Sequence, residues 1–244
     1  MYLIDLNMDL GEGTGNDAAV MSFISSCSVA CGGHYGDATT IKAALVLAKK
    51  YGVKAGAHPS FDDKENFGRV HVVCDETRFR ESVTNQILSF TNAALAAAIP
   101  MQHIKMHGAL YHATAHKPDF ARWTVRLMQE KYAGIPLIIP PDCLLEQLAQ
   151  KNNMLYLTEA FADRRYLESG RLVSRKEPNA LITDVPKLVN QIGMMVKHKQ
   201  LQTVTETRLD INAHTYCVHG DNAAIVDRFK EIIAALKLNK ISIG

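Results

Sequence analysis

From position 2 to position 10 the chain alternates, with Ile4, Leu6, Met8 and Leu10 apolar and Asp5, Asn7 and Asp9 polar. A period of two marks a strand, because successive side chains leave it on opposite faces. Taking 2–9 as the first strand, six further short apolar or β-branched runs follow, at 27–31, 53–57, 101–106, 137–139, 155–161 and 215–218. Between these runs apolar positions recur at helical spacing. The segment opening at Asp37 carries Ile41, Ala44, Leu45 and Ala48 before Gly52, which predicts an N-cap, one buried stripe and a closing glycine. Helices are predicted in the same way over 75–98, 120–132, 142–150, 184–197 and 221–236.

Strands that alternate with helices along the chain pair in parallel through right-handed crossovers. The expected architecture is therefore α/β: an irregular, TIM-like, seven-stranded (β/α) barrel with outer helices, occupying 1–244 as one domain. An open doubly wound sheet is the alternative, and the closing "KISIG" offers a short eighth strand.

Composition narrows the function classes. With 47% hydrophobic residues in 244 there is ample material for a core. Lys and Arg number 27 against 25 acids, and no run of like charges breaks the balance, which argues against nucleic acid as a partner. No apolar stretch approaches the roughly 20 residues of a membrane helix, and no basic leader precedes the first strand, so a cytoplasmic protein is expected. The five cysteines are odd in number and scattered, as for reduced thiols rather than a disulfide framework.

The polar strand positions change the picture most. Asp5, Asn7 and Asp9 share one face of the first strand. Downstream, His103, Lys105 and His107 share a face, as do Glu159 and Asp163, and Cys217, His219 and Asp221. His34 and His58 close the second and third strands. At least five strand ends thus deliver an acid, a histidine or a lysine to the carboxyl rim, where barrels and open α/β sheets place their sites. A lysine as deep as Lys105 must be paired or have its pKa lowered. His103, early in its strand, reads as a satisfied lower-barrel histidine, and His112 and His116 as an exposed helix face. "CSVAC" lacks the second thiolate pair of a zinc clip.

The ordered blocks "DLNMDLGEG", "VACGGHYGD", "GAHPSF", "NFGR", "HIKMHGALYH", "EAFADRRY", "GRLVSR" and "CVHGDN" resemble the LamB/YcsF family, that of the A subunit of bacterial 5-oxoprolinase. The blocks run in the family's order over nearly the whole chain. Gly33, Tyr35, Ser60, Val70 and Met106 depart from the pattern expected of the family. The resemblance implies a barrel-like β/α fold and a part in the ATP-dependent opening of 5-oxo-L-proline to L-glutamate, shared with partner subunits B and C. ATP, with Mg, would be the cosubstrate. The chain has no G-x-x-x-x-G-K-[ST] loop, and "GEGTG" lacks dinucleotide-fingerprint spacing, so nucleotide binding would be unconventional or shared with a partner.

By position and chemical type, Asp9 and Glu12 are candidates for base and orienter of an attacking water. Lys105 and Arg69 are candidates for holding a substrate carboxylate or phosphoryl group, with Arg164 as a further anion partner. Asn7 joins the substrate-binding set from the first strand, and His107, Asp163, His219 and Asp221 would complete an acid/base and hydrogen-bonding wall. His34 and His58 are candidate ligands, with Asp9, for a divalent metal. Two other classes stay open: a stand-alone metal-dependent amidase or deacetylase, and a non-catalytic subunit that binds a small acid. A Cys217 nucleophile, sharing a strand face with His219, is a minor variant.

Overall fold

The computed structural model describes Met1–Gly244. Its strands, in chain order, are β1 (Tyr2–Leu10), β2 (Ser26–Ala30), β3 (Lys54–His58), β4 (Ile104–Lys105), β5 (Leu137–Ile139), β6 (Tyr156–Phe161), β7 (Gln200–Gln202), β8 (Arg208–Asp210), β9 (Thr215–Cys217) and β10 (Ile241–Ile243). Strands β1 to β6 pair in sequence order, β6 pairs with β9, and β9 returns to β1, every pairing parallel. The result is a closed seven-stranded β-barrel of the TIM-like kind. The closing segment does form a strand, but β10 pairs with β1 at Tyr2–Ile4 and adds to the barrel's outer end without joining its closure.

Closure gives the alternation in β1 its meaning. Ile4, Leu6, Met8 and Leu10 face outward, each at most 5% exposed, into a cluster of 61 buried hydrophobic residues. Full burial of one such side chain is worth about 1.5–3 kcal/mol. The predicted stripe Ile41, Ala44, Leu45 and Ala48 is buried on the helix Ala38–Tyr51. Asp37 caps that helix, accepting from Thr39 N and Thr40 N in a capping box, and Gly52 ends it at φ 69°.

Three departures from the sequence reading bear on the site. First, β4 is only two residues long where the sequence predicts a strand over 101–106, because the chain turns at His107 into the helix Gly108–His116, whose exposed face carries His112 and His116 as expected. The turn requires glycine: Gly108 sits at φ 56°, and a Cβ there would come within 2.5 Å of the Gly68 carbonyl oxygen. Second, the excursion between β6 and β9 carries the antiparallel pair β7–β8, whose "QLQ" and "RLD" hold one apolar residue each and so give no strand signal. Third, the last predicted helix is divided into Ala223–Val226 and Phe229–Leu238, although Ile225, Phe229, Ile232 and Leu236 continue one buried stripe across the break.

Candidate active site

The inward face of the barrel is filled at its carboxyl end by charge. Lys105, 1% exposed, reaches up from β4 into a ring of acceptors. Its Nζ lies 2.9 Å from Asp9 Oδ1, 2.7 Å from Glu159 Oε1, 3.3 Å from Asn7 Oδ1 and 3.3 Å from Cys217 Sγ. Burial alone would drive the lysine toward neutrality, but Asp9, Cys217 and Glu159 outweigh it and raise its pKa well above the usual value. The two carboxylates divide unequally. Asp9 is held well below its ordinary range, since His58 and Lys105 overcome its burial; Glu159 is pushed up by burial, which the lysine only partly offsets. The lysine's donors are thus engaged by protein groups, and Arg69, Arg164 and Arg175 line the same cleft beside it.

Above this ring lies a knot of imidazoles. His58 Nδ1 donates to the Lys105 carbonyl (2.8 Å), and its Nε2 faces Asp9 Oδ2 (3.4 Å) and His107 Nδ1 (3.0 Å). Glu12 Oε1 lies 2.9 Å from His34 Nε2, 3.2 Å from His107 Nδ1 and 3.8 Å from His58 Nε2. His34 and His107 stack with ring centroids 3.7 Å apart, and His58 meets both edge-on. Burial lowers the pKa of His34 to about 4. Glu12, although buried, is kept strongly acidic by hydrogen bonds from His107 and His34. The acid that unites the three histidines is therefore Glu12, where the sequence pairs His34 and His58 with Asp9; Asp9 touches only His58 and is turned toward the lysine.

A second constellation stands beside the first. Asp163 Oδ1 accepts from His219 Nδ1 (2.7 Å), and Asp163 Oδ2 accepts from the His219 amide and from Asn222 Nδ2. These interactions overcome burial and hold the Asp163 carboxyl below its ordinary pKa. His219 stacks on Phe161 with centroids 5.3 Å apart. Arg164 is buried and donates to the Val173 carbonyl, while its Nε has no partner. Asp221, read as part of the acid/base wall, instead lies at the rim, paired with Arg69 (2.8 Å) and Arg175 (2.7 Å). Asp221 thus holds two arginines at the edge of the cleft.

Many of these groups border one cleft of about 510 Å³, lined by Asp9, Glu12, His58, Lys105, His107 and Arg164 among others. That volume suits a small polar molecule. Of the candidates, Asn7 and His34 sit behind the wall and support it. Three residues outside the candidate set also belong to the site: Arg175 and Tyr111, which line the cleft, the buried Tyr111 hydroxyl having no partner, and Glu159, which lies beneath it on Lys105. Arg175 lies in an irregular loop without periodicity, and Tyr111 lies on the buried side of the helix Gly108–His116, of which the sequence marks only the exposed His112 and His116. His103 is the lower-barrel histidine expected, 3.1 Å from Ser28 Oγ and packed where a Cβ at position 56 would come within 2.3 Å of its ring.

A model of the LamB/YcsF family matches residues 4–244. The chain belongs to the LamB/YcsF family. Relatives within it include a protein from Bacillus cereus named as the A subunit of 5-oxoprolinase, 36% identical over 249 aligned residues that cover 100% of this chain and 98% of the relative. A second, of the same name, from Staphylococcus carnosus is 35% identical and covers 98% of this chain and 97% of its own. Among solved structures, the lactam utilization protein from Thermus thermophilus superposes with a TM-score of 0.89 at 30% identity, covering 99% of this chain and 98% of the other. A Cβ at Gly33 would come within 2.4 Å of Ser60 Oγ, so the serine occupies room that a side chain at position 33 would need.

The cysteine variant fares poorly on chemistry. Cys217 is fully buried, its thiol is pushed well up by burial, and Lys105 only partly opposes this. Native protein treated with iodoacetamide is expected to label at half-exposed Cys74 and to leave Cys217 unmodified until denaturant is added, as read by peptide mass spectrometry. Rapid native labelling of Cys217 would restore the nucleophile reading.

Proposed function

We propose that this LamB/YcsF chain is the A subunit of an ATP-dependent 5-oxoprolinase, opening 5-oxo-L-proline to L-glutamate together with B and C partner subunits. The observation that carries the proposal is the full-length similarity to relatives bearing that name, at 36% identity, combined with a small cleft of fitting chemistry. Arg164, with an unpartnered Nε, and Arg175 offer guanidinium groups for the substrate carboxylate. Asp9, ionised and facing the cleft, is the acceptor for a proton from attacking water. The His219–Asp163 pair stands opposite as the candidate donor to the departing ring nitrogen: an imidazole oriented by a buried carboxylate.

In the net reaction water adds to the lactam carbonyl carbon, the C–N bond breaks and the ring nitrogen takes up a proton. A five-membered lactam is a poor electrophile that recloses readily, so ATP would supply leaving group and driving force by converting the carbonyl oxygen to a phosphate ester. The sequence has no phosphate-binding loop, and the proposal assigns ATP and its Mg to the assembled complex with its partners.

The test is glutamate release from 5-oxoproline by the chain alone, with B and C partners, and with or without ATP. Release that requires ATP and all three chains is expected. Release by this chain alone, independent of ATP and abolished by chelator, would instead establish the stand-alone amidase class. Binding of 5-oxoproline without turnover in any combination would establish a purely binding role.

A further inference from the structure

Two backbone carbonyls set the tautomers in the histidine knot. A carbonyl oxygen only accepts, so His58 carries its proton on Nδ1, bonded to the Lys105 carbonyl, and His107 carries its proton on Nε2, 3.1 Å from the Phe67 carbonyl. The remaining nitrogens, His58 Nε2 and His107 Nδ1, then present lone pairs to each other across 3.0 Å. Glu12 Oε1 brings a third electron-rich atom to within 3.2 Å of one and 3.8 Å of the other. Three lone-pair donors converge at that point, and nothing in the neutral protein lies between them. Asp9 Oδ2 adds a further oxygen 3.4 Å from His58 Nε2, so a cation at this point, a metal ion or a proton, would bind these electron-rich atoms together.

We propose that this point is a divalent metal site, with His58 Nε2, His107 Nδ1 and Glu12 Oε1 as the protein ligands and with coordination left open toward the cleft. Ligand atoms around a tetrahedral ion bound at about 2.0–2.1 Å stand roughly 3.3 Å apart, and the three separations here, 3.0, 3.2 and 3.8 Å, bracket that value. The outer shell is already in place, as each ligand imidazole donates its other N–H to a backbone carbonyl, and His34 Nε2 donates to Glu12. His34 Nε2 also lies within the 4.8 Å span shared by the four donor groups, but its ring stacks on His107 and its nitrogen is turned to the carboxylate, so it positions Glu12. Two imidazoles and one carboxylate are the donor set of Zn²⁺ or a similar first-row ion. All three ligands line the same cleft, so a bound ion would act as a Lewis acid on a ligand oxygen or water there. Only this placement in the cleft rests on the lactam reading; the coordination does not.

The experiment is a Co²⁺ titration of the metal-stripped, full-length chain, followed by visible absorption and competed with Zn²⁺. Saturation at one equivalent is expected. Affinity is expected to fall more than 100-fold in Glu12→Gln and His107→Gln, and by about 10–100-fold in His34→Ala, as for loss of an outer-shell partner. Because a substitution can cost the fold, circular dichroism accompanies each variant, and an independent reading uses the native chain alone. In ¹⁵N imidazole spectra, Zn²⁺ is expected to shift Nε2 of His58 but Nδ1 of His107. Failure to saturate, shifts at other nitrogens, or equal affinity in folded variants would overturn the proposal and leave a shared proton as the cation. Binding is measured without substrate, ATP or partners, so its failure is distinct from a failure of glutamate release.

Discussion

Replacing Lys105 with methionine is expected to destabilise the chain by about 3–5 kcal/mol and to abolish any activity of the cleft. Methionine matches the length and apolar stem of lysine, so packing is nearly preserved and the change isolates the charge. What it leaves behind is the ionised Asp9, beside Glu159 at 1% exposure, with no cation between them. Bringing two unpaired carboxyls together out of water costs far more than an exposed ion pair returns, and the chain can relieve this only by protonating them. Urea unfolding monitored by circular dichroism measures the loss. The double variant Lys105→Met, Asp9→Asn is expected to recover part of it, because the second change removes one of the stranded charges. A single variant as stable as the parent, or a double variant whose losses simply add, would show that the lysine is not the counter-ion holding the ring together.

Asp9→Asn taken alone should separate chemistry from folding. Asparagine keeps the size of aspartate and still offers an oxygen to Lys105 Nζ, now 2.9 Å from Asp9 Oδ1, while Glu159 remains at 2.7 Å as the lysine's counter-ion. The fold is therefore expected to survive with a smaller stability loss than in Lys105→Met. The amide cannot take a proton, so under the proposed function glutamate release by the reconstituted enzyme should fall by about 10²–10⁴-fold, mainly in kcat. A KM effect with kcat unchanged would assign Asp9 to substrate binding, and undiminished turnover would remove it from the reaction.

The residues of this centre were legible in the sequence to an unequal degree. Lys105 and Asp9 declared themselves by parity, as polar groups on the inner face of strands whose other face is apolar. The barrel class followed from the alternation of strands and helices, and the caps at Asp37 and Gly52 from local backbone chemistry that involves no distant partner. Glu12 was identifiable as a candidate but not as the acid shared by three imidazoles, because the glycine-rich turn after β1 has no period from which a direction can be read. Asp221 was placed in the catalytic wall by the same parity that placed His219. Beyond the end of β9 the chain leaves the strand, parity no longer applies, and Asp221 pairs with Arg69 and Arg175 at the edge of the cleft.

Tyr111 and Arg175 illustrate a further limit. One lies on a helix begun by a glycine turn that only the nearby Gly68 backbone explains, and the other on a loop folded over the cleft. Local sequence determined what depends on local physics: strand periodicity, helix stripes, caps, and which residue types reach the rim. Tertiary structure alone decided which rim groups meet, since barrel closure brings β1, β4, β6 and β9 around one axis and joins Asp9, Lys105, Glu159 and Cys217 across separations of up to 208 positions. Electrostatic interaction depends on distance through space and on burial, neither of which is written in the order of residues along the chain.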